Sequence, residues 1–377
     1  MEKEIDFLSL KKGDYLTDDQ AMAASIACAY AGAPFVSPNP LVGCLILDNE
    51  NKFLALGYHE KYGQAHAEIN AIKKLSINEL IGSKFFVTLE PCAHQGKTGS
   101  CARKLSEFKI QKLIYGLVDP NPLVAGQGAK ILLDAGIECE EYAGIHKQDL
   151  ESLAEIFLKN YRQKKTFVAM KVASSLDGQI ALSTGESQWI TGPESRQYVH
   201  QLRSWYDAIV IGRNTIELDN PSLNIRHPEI TKNNKLIILD PRGQILKNIT
   251  DGRKYKFQEM HSKENVYFAV QDDIKTDDQI IKFLDLEDLM KKIWDLEIKS
   301  VFIEGGSKTY SSFIKKGLVD RIHLFMNTSI IGSENGLSWT SGFGINALSD
   351  KVVLNNIKNK IFGSDIYLTG RILKFKI

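Results

Sequence analysis

The chain has little that would tie it to an unusual environment. It holds only five cysteines, an odd number that ends at Cys139, so no disulfide framework is written into it. A reducing, cytoplasmic setting is the expectation. An excess of either charge is also missing. Forty-seven Lys and Arg stand against 46 Asp and Glu, a formal net charge of +1, which gives no pull toward nucleic acid or a membrane surface. No apolar run is long enough to span a bilayer. The segment Met1-Glu2-Lys3-Glu4-Ile5-Asp6 carries no apolar signal core. There is no internal repeat and no low-complexity tract. What remains is an ordinary globular composition in 377 residues, long for one core and comfortable for two.

Against that background one constellation stands out: His66-Ala67-Glu68, then Pro91-Cys92, then Cys101. It offers one imidazole and two thiols as ligands and a carboxylate that is not needed as a ligand. Catalytic zinc takes three protein ligands and leaves the fourth position for water. Bound zinc lowers the pKa of that water toward neutrality, and a carboxylate beside it can move protons. The set matches the working centre of zinc-dependent nucleobase deaminases. Ala93 to Ser100 make a longer spacer than the generic pattern has, but closing a longer loop adds little entropy. A purely structural zinc knuckle would want a fourth Cys or His, and His94 is the only nearby candidate. Cys28, Cys44 and Cys139 lie in apolar contexts and read as small core residues.

Periodicity and turn residues give an alternating plan. A helix is expected over 17–32, capped by Thr17, and strands at 41–47, 54–58, 84–89, 112–117 and 137–140. Helices are expected from His66 to about Leu75 and over 126–134. Cys92 is expected at a helix start, where amides favour a thiolate. A charged helix over 150–165 reads as the join between domains 1–160 and 161–377. Strands follow at 166–173, 208–211, 236–239, 266–270 and 301–303, with helices at 193–205, 286–294 and 307–315. The tail is mostly strand. Residues 241–264 and 271–283 are polar and read as surface loops.

In the second half, Ser174 to Gln179 is a turn directly after a strand, Gly185 to Thr191 a loop with a tryptophan before a proline-initiated helix, and Glu304-Gly305-Gly306-Ser307 a strand-to-helix junction. The last can bring backbone amides to a phosphate, though Gly-Gly falls short of a dinucleotide fingerprint. Arg203 and Arg226 can hold a phosphate. Trp189, taken alone, reads as packing.

Several blocks in one order carry a resemblance: Asn39-Pro40-Leu41-Val42-Gly43, His66-Ala67-Glu68, Glu90-Pro91-Cys92-Ala93-His94, Asp119-Pro120-Asn121-Pro122, Ser175-Leu176-Asp177-Gly178, Gly185 to Thr191, and Glu304-Gly305-Gly306. Over nearly its whole length the chain resembles the RibD family of riboflavin biosynthesis. In that family a diaminohydroxyphosphoribosylaminopyrimidine deaminase is fused to a 5-amino-6-(5-phosphoribosylamino)uracil reductase. The resemblance implies an α/β protein with a cytidine-deaminase-like three-layer α/β/α domain followed by a dihydrofolate-reductase-like α/β domain. It implies that His66, Cys92 and Cys101 bind one zinc ion and that Glu68 shuttles protons. It implies that Asn39, His59, Lys97, Asp119 and Asn121 hold the pyrimidine and its ribose phosphate. In the reductase half it implies NADPH, with Ala173, Trp189, Thr215, Asp219, Gly306 and Ser307 at the cofactor. Ser187, Arg203, Leu223, Arg226 and Glu304 match substrate positions. Small pyrimidine ribose phosphates are then the partners, and a homo-oligomer, dimer or tetramer, is expected.

Two positions depart from the pattern. Gly99-Ser100 stand where two prolines are usual, and Pro241 stands where a serine commonly contacts the cofactor. Proline has no N–H to give. The rival readings are a zinc deaminase for another base, which leaves the second half unexplained, a zinc-stabilised domain fused to a nucleotide sensor, which leaves Glu68 unexplained, and a protein with one half decayed.

Overall fold

Thr17 starts the first helix as its hydroxyl predicts. Its side chain accepts from the Gln20 amide while the Gln20 side chain accepts from the Thr17 amide, a reciprocal cap. The computed structural model describes residues 7–93, 99–121, 125–271 and 279–373. It divides into two units, Met1–Gln163 and Lys164–Ile377.

The first unit runs α1 (Asp18–Ala29), β1 (Gly43–Leu47), β2 (Phe53–Tyr58), α2 (Ala67–Ile72), α3 (Ile77–Leu80), β3 (Lys84–Val87), α4 (Cys101–Leu105), β4 (Lys112–Tyr115), α5 (Gln127–Asp134), β5 (Glu138–Glu141), α6 (Lys147–Leu153) and α7 (Glu155–Gln163). Its sheet has the order β2-β1-β3-β4-β5. β1 is antiparallel to both neighbours, while β3, β4 and β5 are parallel. Strand alternation splits the core into two. Leu45, Leu47, Phe86 and Ile114 pack with α1 and α6, whereas Cys44, Ile46, Phe85, Val87 and Leu113 pack with α2, α4 and α5. Helices on both faces give three layers. Gly57 lets α2 lie close: a Cβ there would sit 2.4 Å from the Ala71 amide nitrogen. The expected single helix over 150–165 is instead α6 and α7, interrupted at Ala154.

The second unit runs β6 (Phe167–Ser174), β7 (Gln179–Leu182), α8 (Pro193–Trp205), β8 (Ala208–Gly212), α9 (Arg213–Asp219), β9 (Lys235–Leu239), α10 (Gln244–Thr250), α11 (Lys256–Met260), β10 (Val266–Val270), β11 (Ile280–Lys282), α12 (Leu286–Asp295), β12 (Ser300–Ile303), α13 (Ser307–Lys315), β13 (Arg321–Asn327), β14 (Gly336–Ser338), β15 (Leu354–Phe362) and β16 (Asp365–Ile372). The large sheet is ordered β11-β10-β9-β8-β12-β6-β13-β16-β15. It is parallel from β11 to β13 and antiparallel at β16 and β15. Parallel strands covered on both faces read as unbroken apolar runs, as the all-buried β8 and β12 do.

The expectation of surface loops at 241–264 and 271–283 fails where the chain is described; residues 272–278 lie outside the described residues. The first stretch contains α10 and α11; Ile245 in α10, Tyr255 at the cap of α11 and Phe257 within it are buried against β9 and β10. The second contains β11, and Ile281 and Phe283 are buried. Few apolar residues, each fully used, left the polar average to mislead.

Candidate metal centre and reductase cavity

His66 is the N-cap of α2, with extended backbone. This aims its ring away from the helix while Glu68, in the first turn, turns inward and is only 2% exposed. Cys101 opens α4. Cys92 does not open a helix, contrary to expectation. It lies in irregular chain after β3, and the α4 start serves it instead: the Cys101 amide donates to Cys92 Sγ at 3.3 Å. Ser100 ties the two together. Its hydroxyl donates to the Cys92 carbonyl at 2.9 Å and accepts from the Arg103 amide. Gly99 has φ +79°, a backbone that proline cannot adopt. The exchange of prolines for Gly-Ser therefore builds a helix cap.

His66 Nδ1 lies 3.5 Å from Cys92 Sγ and 3.2 Å from Cys101 Sγ, and the three ligand atoms all fall within 4.8 Å of one another. Tetrahedral zinc with ordinary bond lengths would place sulfur and nitrogen about 3.5 Å apart, so the donor set fits that ion. Among the described residues no fourth side chain joins the group; His94 lies outside them. The protonation pattern points the same way. The Cys92 thiol is pulled down to about 4 by the hydrogen bond from Cys101, against burial and with help from His66. Cys101 is pushed up by sharing that proton with Cys92 and by burial. Two sulfurs this close ionise together only around a cation. Burial also raises Glu68, and His66 opposes it. Glu68 Oε2 is buried with no hydrogen-bond partner, a free acceptor beside three ligands.

The proposed pyrimidine contacts fall in two places. Asn39 Nδ2 donates to His59 Nε2 at 3.1 Å, and His59 Nδ1 is 3.1 Å from the Ala65 carbonyl. The His59 ring meets the His66 ring edge-on at 5.2 Å. Asp119 and Asn121 form their own turn, in which the Asn121 amide donates to Asp119 Oδ1 at 2.8 Å. Lys97 lies outside the described residues. Glu90 is a residue whose role the sequence did not reveal. Its two oxygens take the amides of Asp119, Gly126, Gly128 and Ala129 at 3.0–3.3 Å. It thereby fastens the segment before Cys92 to the start of α5. Gly128 allows this, since a Cβ there would lie 1.9 Å from the Pro91 carbonyl oxygen.

The second unit holds a cavity of about 1200 Å³. Every residue named above for cofactor or substrate in this half lines it: Ala173, Ser187, Trp189, Arg203, Thr215, Asp219, Leu223, Arg226, Glu304, Gly306 and Ser307. Trp189 is not packed into a core. It is 68% exposed, and the Arg196 guanidinium stacks 4.4 Å from its ring. Ser187 donates to Asp219 at 2.9 Å. Leu223 is buried with φ +56°, a strained backbone for such a side chain. Arg203 is committed within the protein. It grips both oxygens of Glu304 and donates to the Asn224 carbonyl at 3.0 Å. Lys171 Nζ sits 3.2 Å from the same carboxylate. Burial would raise Glu304, but Arg203 and Lys171 win and hold it at about 2. Pro241 lines the cavity too. His200, which the sequence reading passed over, stands between the two arginines, and its signal was the three-residue spacing to Arg203 on one face of α8.

A histidine and two cysteines able to share one metal ion, beside a buried carboxyl on a three-layer fold, are the arrangement of a zinc deaminase of the cytidine type. Residues 16–117 match the cytidine and deoxycytidylate deaminase zinc-binding region, and residues 166–367 match the RibD C-terminal domain. The riboflavin biosynthesis protein RibD of Actinobacillus pleuropneumoniae is 37% identical over 94% of this chain and 95% of its own length. That of Aquifex aeolicus is 33% identical over 93% and 97%. The solved Acinetobacter baumannii RibD superposes with a TM-score of 0.78 at 31% identity, covering 95% of this chain and 99% of its own. A deaminase/reductase from Thermotoga maritima gives 0.78 at 32%, covering 94% and 99%. The chain belongs to the RibD family, the bifunctional deaminase–reductases of riboflavin biosynthesis.

Proposed function

We propose that Glu68 is the proton carrier of the deamination and that His66, Cys92 and Cys101 hold its zinc ion. The substrate is 2,5-diamino-6-ribosylamino-4(3H)-pyrimidinone 5′-phosphate. The observation that carries this reading is the buried Glu68 oxygen with no partner beside three mutually close ligand atoms. Zinc, when bound, supplies an activated water and positive charge for the developing transition state. Glu68 takes the proton of the attacking water, passes it to the ring nitrogen, and helps the amine leave as ammonia. Asn39, His59, Asp119 and Asn121 orient the pyrimidine and its ribose phosphate, and Lys97 is assigned to the same substrate. A Glu68→Ala protein should keep its zinc, lose deamination by about 10²- to 10⁴-fold, and still oxidise NADPH on deaminated substrate. Retained ammonia release would remove this role.

The reduction of the ribosyl group of 5-amino-6-(5-phosphoribosylamino)uracil belongs to the cavity of the second unit. NADPH, when bound, supplies the hydride. Ala173, Trp189, Thr215 and Asp219, with the turn at Gly306 and Ser307 opening α13, are assigned to the cofactor, where backbone amides suit a phosphate. Ser187, Arg203, Leu223, Arg226 and Glu304 are assigned to the substrate. Glu304 stays ionised and fixes Lys171 and Arg203 beside it.

A further inference from the structure

The parallel strands β6 and β12 pair as far as Met170 and Ile303, and a side chain makes the next rung. A strand turns successive residues to opposite sides. The Phe167 amide donates to the Lys299 carbonyl, just ahead of β12, at 2.9 Å, so the odd-numbered residues of β6 face β12. The Glu304 amide donates to the Val210 carbonyl of β8 at 2.9 Å, so the Gly305 amide faces the other way, toward β6. The rung due at this point runs from the Gly305 amide to the Lys171 carbonyl. It passes through a third group. The Gly305 amide donates to Tyr310 Oη at 3.2 Å, and the Tyr310 hydroxyl donates to the Lys171 carbonyl at 2.6 Å.

Tyr310 lies in the first turn of α13 and is buried in the same core as Met170, Val172, Ile303 and Phe313. Burial, and then Glu304, push its phenol up, so the hydroxyl keeps the proton that it gives to Lys171. A direct rung brings nitrogen and oxygen to about 2.9 Å. An oxygen set between them holds the two backbones farther apart. Past this bridge β12 is over and the chain turns into α13, while β6 continues beside β13 to Ser174. Ala173, two residues beyond Lys171, therefore turns its amide and carbonyl to the side that β12 has left. Lys171, Ala173, Gly305, Gly306 and Tyr310 all line the cavity.

We propose that Tyr310 is a positioning residue of the reductase: its hydroxyl replaces a sheet rung and keeps β6 and β12 apart, which holds open the slot for the nicotinamide ring of NADPH. The proposal rests on the reading of Ala173 and Gly306 as cofactor positions and names the group that sets the width between them. The ring belongs at this end, because its hydride has to reach a substrate at Glu304, next to Gly305, whereas the start of α13 suits the phosphates. Without the hydroxyl, the Gly305 amide and the Lys171 carbonyl face each other and can bond directly. The slot is then closed in the free protein, and the ring enters only by breaking that bond, so the apparent affinity falls with the open fraction.

Tyr310→Phe removes one oxygen and keeps the buried ring. Two probes are titrated against the full chain by calorimetry: NADPH, and 2′-phospho-ADP-ribose, which has every part of the cofactor except the nicotinamide. The unsubstituted chain should bind NADPH more tightly than the fragment. Tyr310→Phe should raise the Kd for NADPH roughly 5- to 30-fold, as for a buried amide and carbonyl left unpaired when the slot opens. Its Kd for the fragment should be unchanged, which also shows that the unit is folded. Equal weakening of both probes overturns the proposal. So does an unchanged preference for NADPH, whether or not the melting temperature drops, since the hydroxyl is then structural only and Tyr310 alone is misassigned. If the unsubstituted chain already binds the two probes equally, the nicotinamide has no slot here, and the reading of Ala173 falls together with the proposal.

Discussion

In the first unit three ligand atoms and one carboxyl group crowd within a few ångströms, and two sulfurs compete for one proton. In the second, charged groups spread along a cavity of about 1200 Å³ and already answer one another, as Glu304 does with Arg203 and Lys171. The first gathers three ligand atoms that could share one cation. The second has its buried carboxylate already answered by Lys171 and Arg203. A site whose protein groups bind a metal and move protons must hold specific residue types at fixed separations. A site whose hydride comes from a bound cofactor needs mainly shape and well-placed donors.

Zinc removal should give the largest contrast. A chelator should abolish ammonia release and leave NADPH oxidation on deaminated substrate intact, with zinc restoring the first activity. Loss of both activities together would break the contrast. Next comes Glu304→Gln, which leaves two partly buried cations without their carboxylate. Such unpairing costs about 3 kcal/mol or more, roughly 6–12 °C in a unit of this size. It should be read in the melting of the second unit, with zinc content unchanged. Acid should sharpen the same point. Glu304 is held below its ordinary value of 4.5, at about 2. Its contribution is therefore fully present above about pH 5 and fades as the pH falls toward 2, by about 3 kcal/mol in all. The acid-induced loss should flatten in Glu304→Gln, and an unchanged acid profile would count against the pairing. The smallest effect is expected from Pro241→Ser, which supplies one hydrogen-bonding group at the cofactor. NADPH should bind roughly 2- to 10-fold tighter, measured by fluorescence titration.

What could be read from the sequence follows the same division. His66, Glu68, Cys92 and Cys101 were legible because few chemistries need one imidazole, two thiols and an unliganded carboxyl. The strands β1, β3, β8 and β12 were legible because buried strands are unbroken apolar runs. The helices α10 and α11 were not, since each rests on one or two buried side chains within a polar stretch. The commitment of Arg203 to Glu304 joins residues 101 positions apart, and no local pattern announces it. Nor does the sequence say that Cys92 would lean on the start of a helix it does not belong to.

Glu90 carries a last consequence. It touches no ligand atom, yet it clasps the amides of four residues from two later segments and stands two positions before a sulfur of the metal centre. Slack at this tether would travel straight to Cys92. A Glu90→Ala chain should therefore shed its ion faster with every ligand still in place, a fault of anchorage and not of coordination.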